Sequence, residues 1–317
     1  MKILITGGLG YIGGRIANYL KREAEDIKIS LTTRNKDRKL PSWAKEFEIL
    51  QMDVLEKESI DKCLDGVEVV IHLAALNEID SLKDPQSAWE INVKGTFNLL
   101  ELSRTKGIKK FIYFSTFHVY GNPSNSIITE ETPTKPFHPY SITHRAAEDF
   151  VRYFEHYYGI KTLILRLSNG YGYPMDKDIN RWTLVFNDLC RQAVTTGKIR
   201  LKSSGRQYRD FISIEDIARA VYHFIFVLKD KWGDGLYNLG GNCAISILNA
   251  AQKVAEVCDV KYGKKIKLEV PNEKTAPEVL EMPFTYSIQK IMYTGFTLKS
   301  EMDKEILKTL SVCEEFL

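Results

Sequence analysis

The sequence predicts an α/β protein built on a doubly wound parallel sheet, with a smaller lobe in its C-terminal half. Three observations predict it. Short apolar runs alternate with stretches of helical spacing through the first half. Several of those runs are apolar throughout, as strands covered on both faces must be. The first run ends in a glycine cluster that opens a helix, and right-handed crossovers between parallel strands then leave a doubly wound order.

Taken in order, "KILIT" (2–6) is the first strand and "YIGGRIANYLKREA" (11–24) the helix that returns from it. "IKISLTT" (27–33) alternates with period two and leads into the basic loop "RNKDRK". "FEILQMD" is a third strand, "ESIDKCLDG" a short helix, and "VEVVIHLAA" (67–75) a strand apolar enough to be buried on both faces. A long amphipathic helix, "PQSAWEINVKGTFNLLELSRTKG" (85–107), precedes the strand "KKFIYFST" (109–116). The helix opened by "HPYSITHRAAEDF" (138–150) then leads to the strand "IKTLILRLS" (160–168). Beyond that point the alternation breaks up. A polar loop "YGYPMDKDIN" precedes the helix "RWTLVFNDLCRQAVTTG", and "GLYNLGG" and "AISILNAAQKVAEVCD" read as a strand and a helix. The expected division is residues 1–168, with returning segments near 206–241, against 169–205 and 242–317.

Bulk composition narrows the function classes. The 317 residues are 44% hydrophobic and 27% charged, with a net charge of +3, so no general pull toward nucleic acid or acidic membranes is expected. Five cysteines without CxxC spacing fit reduced thiols better than a disulfide framework or a metal site. "MKILITGG" is too short before its glycines for a signal peptide, and no apolar run reaches the roughly 20 residues of a membrane helix. The expectation is a cytoplasmic protein without metal.

Gly8, Gly10 and Gly13 stand in GxGxxG spacing after Thr6 and Gly7, between a strand and a helix. That context suits a dinucleotide: the glycines turn the chain and let backbone approach a pyrophosphate, while the helix supplies unpaired N–H groups. At the end of the second strand an acid would accept from an adenosine ribose hydroxyl. This chain offers Thr32, Thr33 and Arg34, with Lys36 and Arg38 close behind. Those groups suit a 2′-phosphate, hence NADP, with NAD as the alternative and a solvated basic loop as the functionless reading. Farther on, Tyr140 and His144 lie four apart on one helix face. They form an acid–base pair if they share a cleft and are surface residues if they do not.

These motifs together resemble the extended short-chain dehydrogenase/reductase family, the nucleotide-sugar epimerases, dehydratases and ketoreductases. "TGGLGYIG", "HLAA" (72–75), "NVKGT" (92–96), "FSTFHVYG" (114–121), "PYSITH", "RLSNGYG" (166–172) and "RDFISIEDIARA" (209–220) carry the resemblance in order along nearly the whole chain. It implies a Rossmann fold with a substrate-binding lobe. The implied cofactor contacts are Gly7, Gly10, Tyr11, Ile12 and Gly13, then Thr33 and Arg34, then Asp53 and Val54 at the adenine. Leu73, Ala74, Ala75, Asn92, Tyr140 and His144 complete them. Thr116 and Tyr140 fall on the catalytic hydroxyls, the phenol exchanging a proton with a sugar oxygen while a hydride moves at the same carbon. Thr116, Asn169 and Arg209 fall on the substrate contacts, Arg209 at the nucleotide diphosphate.

Three departures stand out. The family's Tyr-x-x-x-Lys has His144 in place of Lys. "TFH" (116–118) lacks the dehydratases' Asp–Glu pair, which speaks against simple 4,6-dehydration; His118 is either a second base or a neutral supporting histidine. "PNEKTAPEV" lacks a second diphosphate-binding Arg, leaving Lys274 as the available cation. His72, Tyr153, Phe154, Tyr157 and Tyr158 read as structural, and the helix carrying those aromatics resembles one half of the pair that forms a four-helix homodimer interface. The expected activity is reduction of a nucleotide-linked keto-sugar by a 4-ketoreductase. The alternatives are a 4-epimerase with tightly held NAD and a non-catalytic dinucleotide-binding sensor or scaffold.

Overall fold

The computed structural model describes the chain apart from Lys36, Arg38, Ser124, Asn125, Asn180, residues 272–282 and Leu317. Lys36 and Arg38 of the basic loop, and Lys274, therefore lie outside the described residues. The chain divides into two compact units. The first comprises Met1–Ser124, Glu130–Leu167 and Val221–Asn238; the second comprises Asn125–Thr129, Ser168–Ala220 and Leu239–Leu317. The returning segment is thus shorter than the 206–241 read from the sequence, because Tyr208–Ser213 pairs with Asn169–Tyr171 and Ala244–Ser246 in the second unit's sheet.

The first unit is organised by seven strands: β1 (Lys2–Thr6), β2 (Lys28–Thr33), β3 (Glu48–Gln51), β4 (Val69–His72), β5 (Lys110–Thr116), β6 (Lys161–Leu167) and β7 (Leu236–Leu239). Their order is β7-β6-β5-β4-β1-β2-β3, and every pairing from β6 to β3 is parallel. β4 is buried at all four positions and β5 at six of seven, as the unbroken apolar runs require. The order reverses between β1 and β4, so the carboxyl ends of these two strands flank the crevice where doubly wound folds bind ligands. Thr6 and His72 stand at those two ends.

The long helix predicted over 85–107 forms as Pro85–Ala88, then a wider i→i+5 stretch at Trp89–Lys94, then Gly95–Thr105. Asp84 caps it by accepting from the Ser87 N–H at 3.0 Å, and Pro85 occupies the first turn, where its missing N–H removes no bond. Helix Pro139–Tyr158 starts the same way: His138 is extended, its ring Nδ1 accepts from the Tyr140 N–H at 3.1 Å, and Pro139 follows. It ends at Gly159, whose φ of 70° is left-handed. This cap sets which turn of the helix carries Tyr140.

In the second unit, helices Val185–Thr196, Ile247–Tyr262 and Met302–Phe316 pack around Phe186, Leu189, Cys190, Val254, Leu310 and Cys313. All five cysteines are free. Among the described residues no helix is long and apolar enough to cross a membrane, and no cluster of side chains could hold a metal ion.

Candidate active site

At the end of β1, Gly7 takes φ 67° and the Gly10 N–H donates back to the Gly7 carbonyl at 2.9 Å. A Cβ at Gly13 would lie 2.5 Å from the Gly7 oxygen, and one at Gly8 would lie 2.9 Å from the Ile5 carbonyl. The glycines are therefore required by the turn itself. Helix Tyr11–Glu23 starts from Gly10 without a side-chain cap, and Tyr11 and Gly13 are buried beneath the turn. A Cβ at Gly7 would sit 3.1 Å from the Ala74 nitrogen, so Leu73, Ala74 and the glycine turn are neighbours. This is a cradle that any side chain would fill, and it fits a dinucleotide pyrophosphate.

Around it, Asp53 Oδ1 accepts from the Leu55 N–H at 2.9 Å and Val54 is buried. Ala75 is exposed and Ile12 half-buried. Thr33 and Arg34 emerge from β2, with Arg34 exposed and without an ion-pair partner among the described residues. Of the two expected hydroxyls, that of Thr32 is on a residue only 5% exposed, and Thr33 donates to the Asn35 carbonyl at 3.2 Å. Asn92 is also committed within the protein. Its Oδ1 accepts from the Leu76 N–H at 2.7 Å and its Nδ2 donates to Thr143 Oγ1 at 3.0 Å.

Tyr140 and His144 do come together, with ring centroids 4.4 Å apart in an edge-on arrangement. The Tyr140 ring also lies 6.5 Å from that of His118. Tyr140 is half-buried, whereas His144 is 3% exposed. Thr116 ends β5, and its Oγ1 accepts from the His118 N–H at 3.2 Å, leaving its own proton to donate. Burial, reinforced by His72 and His118, pushes the His144 pKa down to about 3. The ring is neutral throughout the physiological range. A lysine here would hold a permanent charge; this histidine holds none.

His72 is the structural counterpart. Thr6 Oγ1 accepts from the Leu73 and Ala74 N–H groups, each at 3.1 Å, so its single proton goes to His72 Nδ1 at 2.6 Å. His72 Nε2–H then donates to Thr96 Oγ1 at 3.0 Å, and Thr96 donates to the Asn92 carbonyl at 2.6 Å. Both of its partners are threonine hydroxyls, and burial lowers its pKa to about 3 as well.

Sequence reasoning missed the support beneath the pair. Tyr113 and Ser115 share one face of β5, as residues two apart on a strand do. Tyr113 Oη meets His144 Nδ1 at 2.8 Å, and Ser115 Oγ donates to Glu148 Oε1 at 2.5 Å. Glu148 lies one turn past His144 and pairs with Arg166 through Nε at 3.0 Å and Nη2 at 2.8 Å, both side chains nearly excluded from solvent. Burial opposes the Arg166 charge, but the carboxylate outweighs it and holds the guanidinium above its ordinary value. Arg166 Nη1 donates to Tyr120 Oη at 2.9 Å, and Tyr120 donates to Asn238 Oδ1 at 2.6 Å. The i, i+4 spacing of His144 and Glu148 was the one sequence signal for this network.

In the second unit, Asn169 Nδ2 donates to the Asp210 carbonyl at 3.0 Å, and Arg209 Nη1 donates to the Tyr208 carbonyl at 2.8 Å. Both residues are half-buried. On helix Pro139–Tyr158, Phe154 packs in the core while Tyr153, Tyr157 and Tyr158 are 39%, 69% and 45% exposed.

Residues 3–240 match the family model described as the NAD dependent epimerase/dehydratase family. A Methanocaldococcus jannaschii protein provisionally described as a UDP-glucose 4-epimerase is 32% identical over 75% of this chain and 76% of its own. The UDP-glucose 4-epimerase of Lactobacillus helveticus is 28% identical over 83% of this chain and 84% of its own. In fold, the chain superposes on the crystal structure of Thermotoga maritima UDP-glucose 4-epimerase with a TM-score of 0.84, at 22% identity and 99% coverage of both chains. With the glycine turn, the seven-stranded sheet and the Tyr140 helix already in place, the chain belongs to the NAD-dependent epimerase/dehydratase family of extended short-chain dehydrogenase/reductase enzymes.

Proposed function

We propose that the chain is a nicotinamide-dinucleotide-dependent oxidoreductase acting at C4 of a nucleotide-linked sugar, and that it favours carbonyl reduction as a 4-ketoreductase. The observation that carries this reading is Tyr140 lying against a buried, neutral His144 at the carboxyl edge of the sheet. Gly7, Gly10, Tyr11, Ile12 and Gly13 would hold the pyrophosphate, Asp53 and Val54 the adenine side, and Leu73, Ala74 and Ala75 the opposite wall. Asn92 acts by fixing Leu76 and Thr143. Arg34 would pair with a 2′-phosphate, so NADP is the preferred form. The dinucleotide, when bound, exchanges a hydride with the sugar carbon.

The protein's own residues handle the oxygen and its proton. Thr116, whose hydroxyl proton is available, donates to the reacting oxygen as that oxygen gains charge. Tyr140 delivers the proton that completes the alcohol. A neutral His144 gives the phenolate no cation to lean on, which suits a phenol that must arrive protonated. Arg209 and Asn169 would bind the nucleotide diphosphate and the sugar. "TFH" offers no acid pair for dehydration. The exposed tyrosines of helix Pro139–Tyr158 support a homodimer through a four-helix bundle, and the protein is proposed to work in the cytoplasm.

A second reading, a 4-epimerase with tightly bound NAD, is favoured by the likeness to the Lactobacillus helveticus enzyme. The two separate on purification and turnover. The reductase oxidises added NADPH in step with a nucleotide-linked 4-keto-sugar, whereas the epimerase copurifies with dinucleotide and consumes none. In either case Tyr140→Phe should abolish turnover and leave dinucleotide binding nearly intact. A Tyr140→Phe enzyme that keeps most of its turnover would remove the phenol from the mechanism.

A further inference from the structure

We propose that Tyr113 is a positioning residue: its hydroxyl donates to His144 Nδ1 and fixes the tautomer whose Nε2–H is the one donor left for an acceptor oxygen of the bound dinucleotide. The inference rests on the dinucleotide reading above. It follows from counting protons. Tyr113 Oη and His144 Nδ1 are 2.8 Å apart, and no other group among the described residues bonds to that hydroxyl. If Nδ1 carried the proton, the phenol's own proton would be stranded and Nε2 would be a stranded acceptor. If the phenol donates, both atoms of the contact are satisfied and only Nε2–H remains.

His144 Nε2 is buried and has no partner among the described residues. His72, by contrast, has a defined partner on each nitrogen. A buried donor without a partner is destabilising, and such atoms in native proteins call for an explanation. A ligand acceptor supplies one. The groups around the contact agree with the assignment. His72 from β4, Tyr140 and Glu148 from helix Pro139–Tyr158, and His118 after β5 bring one carboxylate, which Arg166 already neutralises. Burial, with Glu148 and Tyr140, holds the Tyr113 hydroxyl well above its ordinary pKa, so it keeps the proton it must donate.

The test uses the full-length protein with 15N-labelled histidine. Long-range 1H–15N correlation at pH 7.5 should show His144 protonated on Nε2 and bare on Nδ1 before any ligand is added. Titration with NAD and with NADPH should move the Nε2–H signal and leave Nδ1 nearly still. Tyr113→Phe should shift Nδ1 and weaken dinucleotide binding about fivefold, within the range of one lost hydrogen bond. In a His144→Phe background the same Tyr113→Phe change should have no further effect, since it acts only through the imidazole. A proton on Nδ1 in the wild type, or equal losses in both backgrounds, would overturn the proposal. Dinucleotide fluorescence in the same samples reports binding itself. Binding that leaves Nε2–H unmoved overturns the tautomer role and spares the proposed function; absent binding overturns both.

Discussion

Acidification from pH 7.5 to pH 5 should destabilise the fold through its two buried neutral histidines. His72 and His144 have folded pKa values near 3, depressed chiefly by burial. An unfolded histidine titrates near 6.5. The unfolded chain therefore binds protons that the folded chain refuses. Their contribution to stability is complete above pH 6.5 and falls away as the pH drops from there toward 3. At pH 5 each site favours the unfolded state by RT ln(1 + 10^1.5), about 2 kcal/mol, or about 4 kcal/mol for the pair. Carboxylates held low by partners, such as Glu48 beside Ser30, act in the same sense but only below the ordinary carboxylate range. Asp210, raised by burial, acts oppositely. Urea unfolding across pH 7.5 to 5 measures the sum, and His144→Gln, which cannot titrate, should remove about half of the loss. If the Gln variant keeps the full pH dependence, His144 is not a buried neutral group in the native state.

Two further outcomes follow from the site. Arg34→Ala should cut the preference for NADPH over NADH by on the order of tenfold to a hundredfold, the worth of one charge-assisted contact, read by fluorescence titration; an unchanged ratio would assign the 2′-phosphate to other groups. Glu148→Gln should destabilise the protein by about 3–5 kcal/mol in urea, because it leaves the buried Arg166 charge uncompensated, while a loss under 1 kcal/mol would mean the pair is hydrated in solution.

Much of this was legible in the chain because its signals are local. Unbroken apolar runs announced β1, β4, β5 and β6, and the glycine spacing announced the turn that only glycines fit. Tyr140 and His144 were readable as a pair because a helix places residues four apart on one face. Their support was not readable. Tyr113 reaches His144 across 31 positions, Arg166 reaches Tyr120 across 46, and Tyr120 reaches Asn238 across 118. A sequence shows that such polar residues exist without showing which will meet. Thr32, counted with the phosphate ligands, is buried together with the three residues before it on β2, because both faces of that strand are covered. The wide turn at Trp89–Lys94 was hidden, since apolar spacing fits a regular helix equally well. The terminal helix Met302–Phe316 went unread although its amphipathic spacing was there.

The central claim is that a neutral His144 gives Tyr140 none of the permanent charge a lysine would, so that the site is built to donate a proton. Initial rates in both directions, measured from pH 6 to 10 on the physiological sugar for the wild type and His144→Lys, test it most directly. The account predicts wild-type reduction that holds through neutral pH and wild-type oxidation that keeps climbing with pH without levelling off below pH 8. His144→Lys, checked for an intact thermal transition, should preserve reduction and raise oxidation most near neutrality, by tenfold for each 1.4 kcal/mol of phenolate stabilisation. Wild-type oxidation as fast as reduction at pH 7, or a folded Lys variant that gains nothing in oxidation, would contradict it.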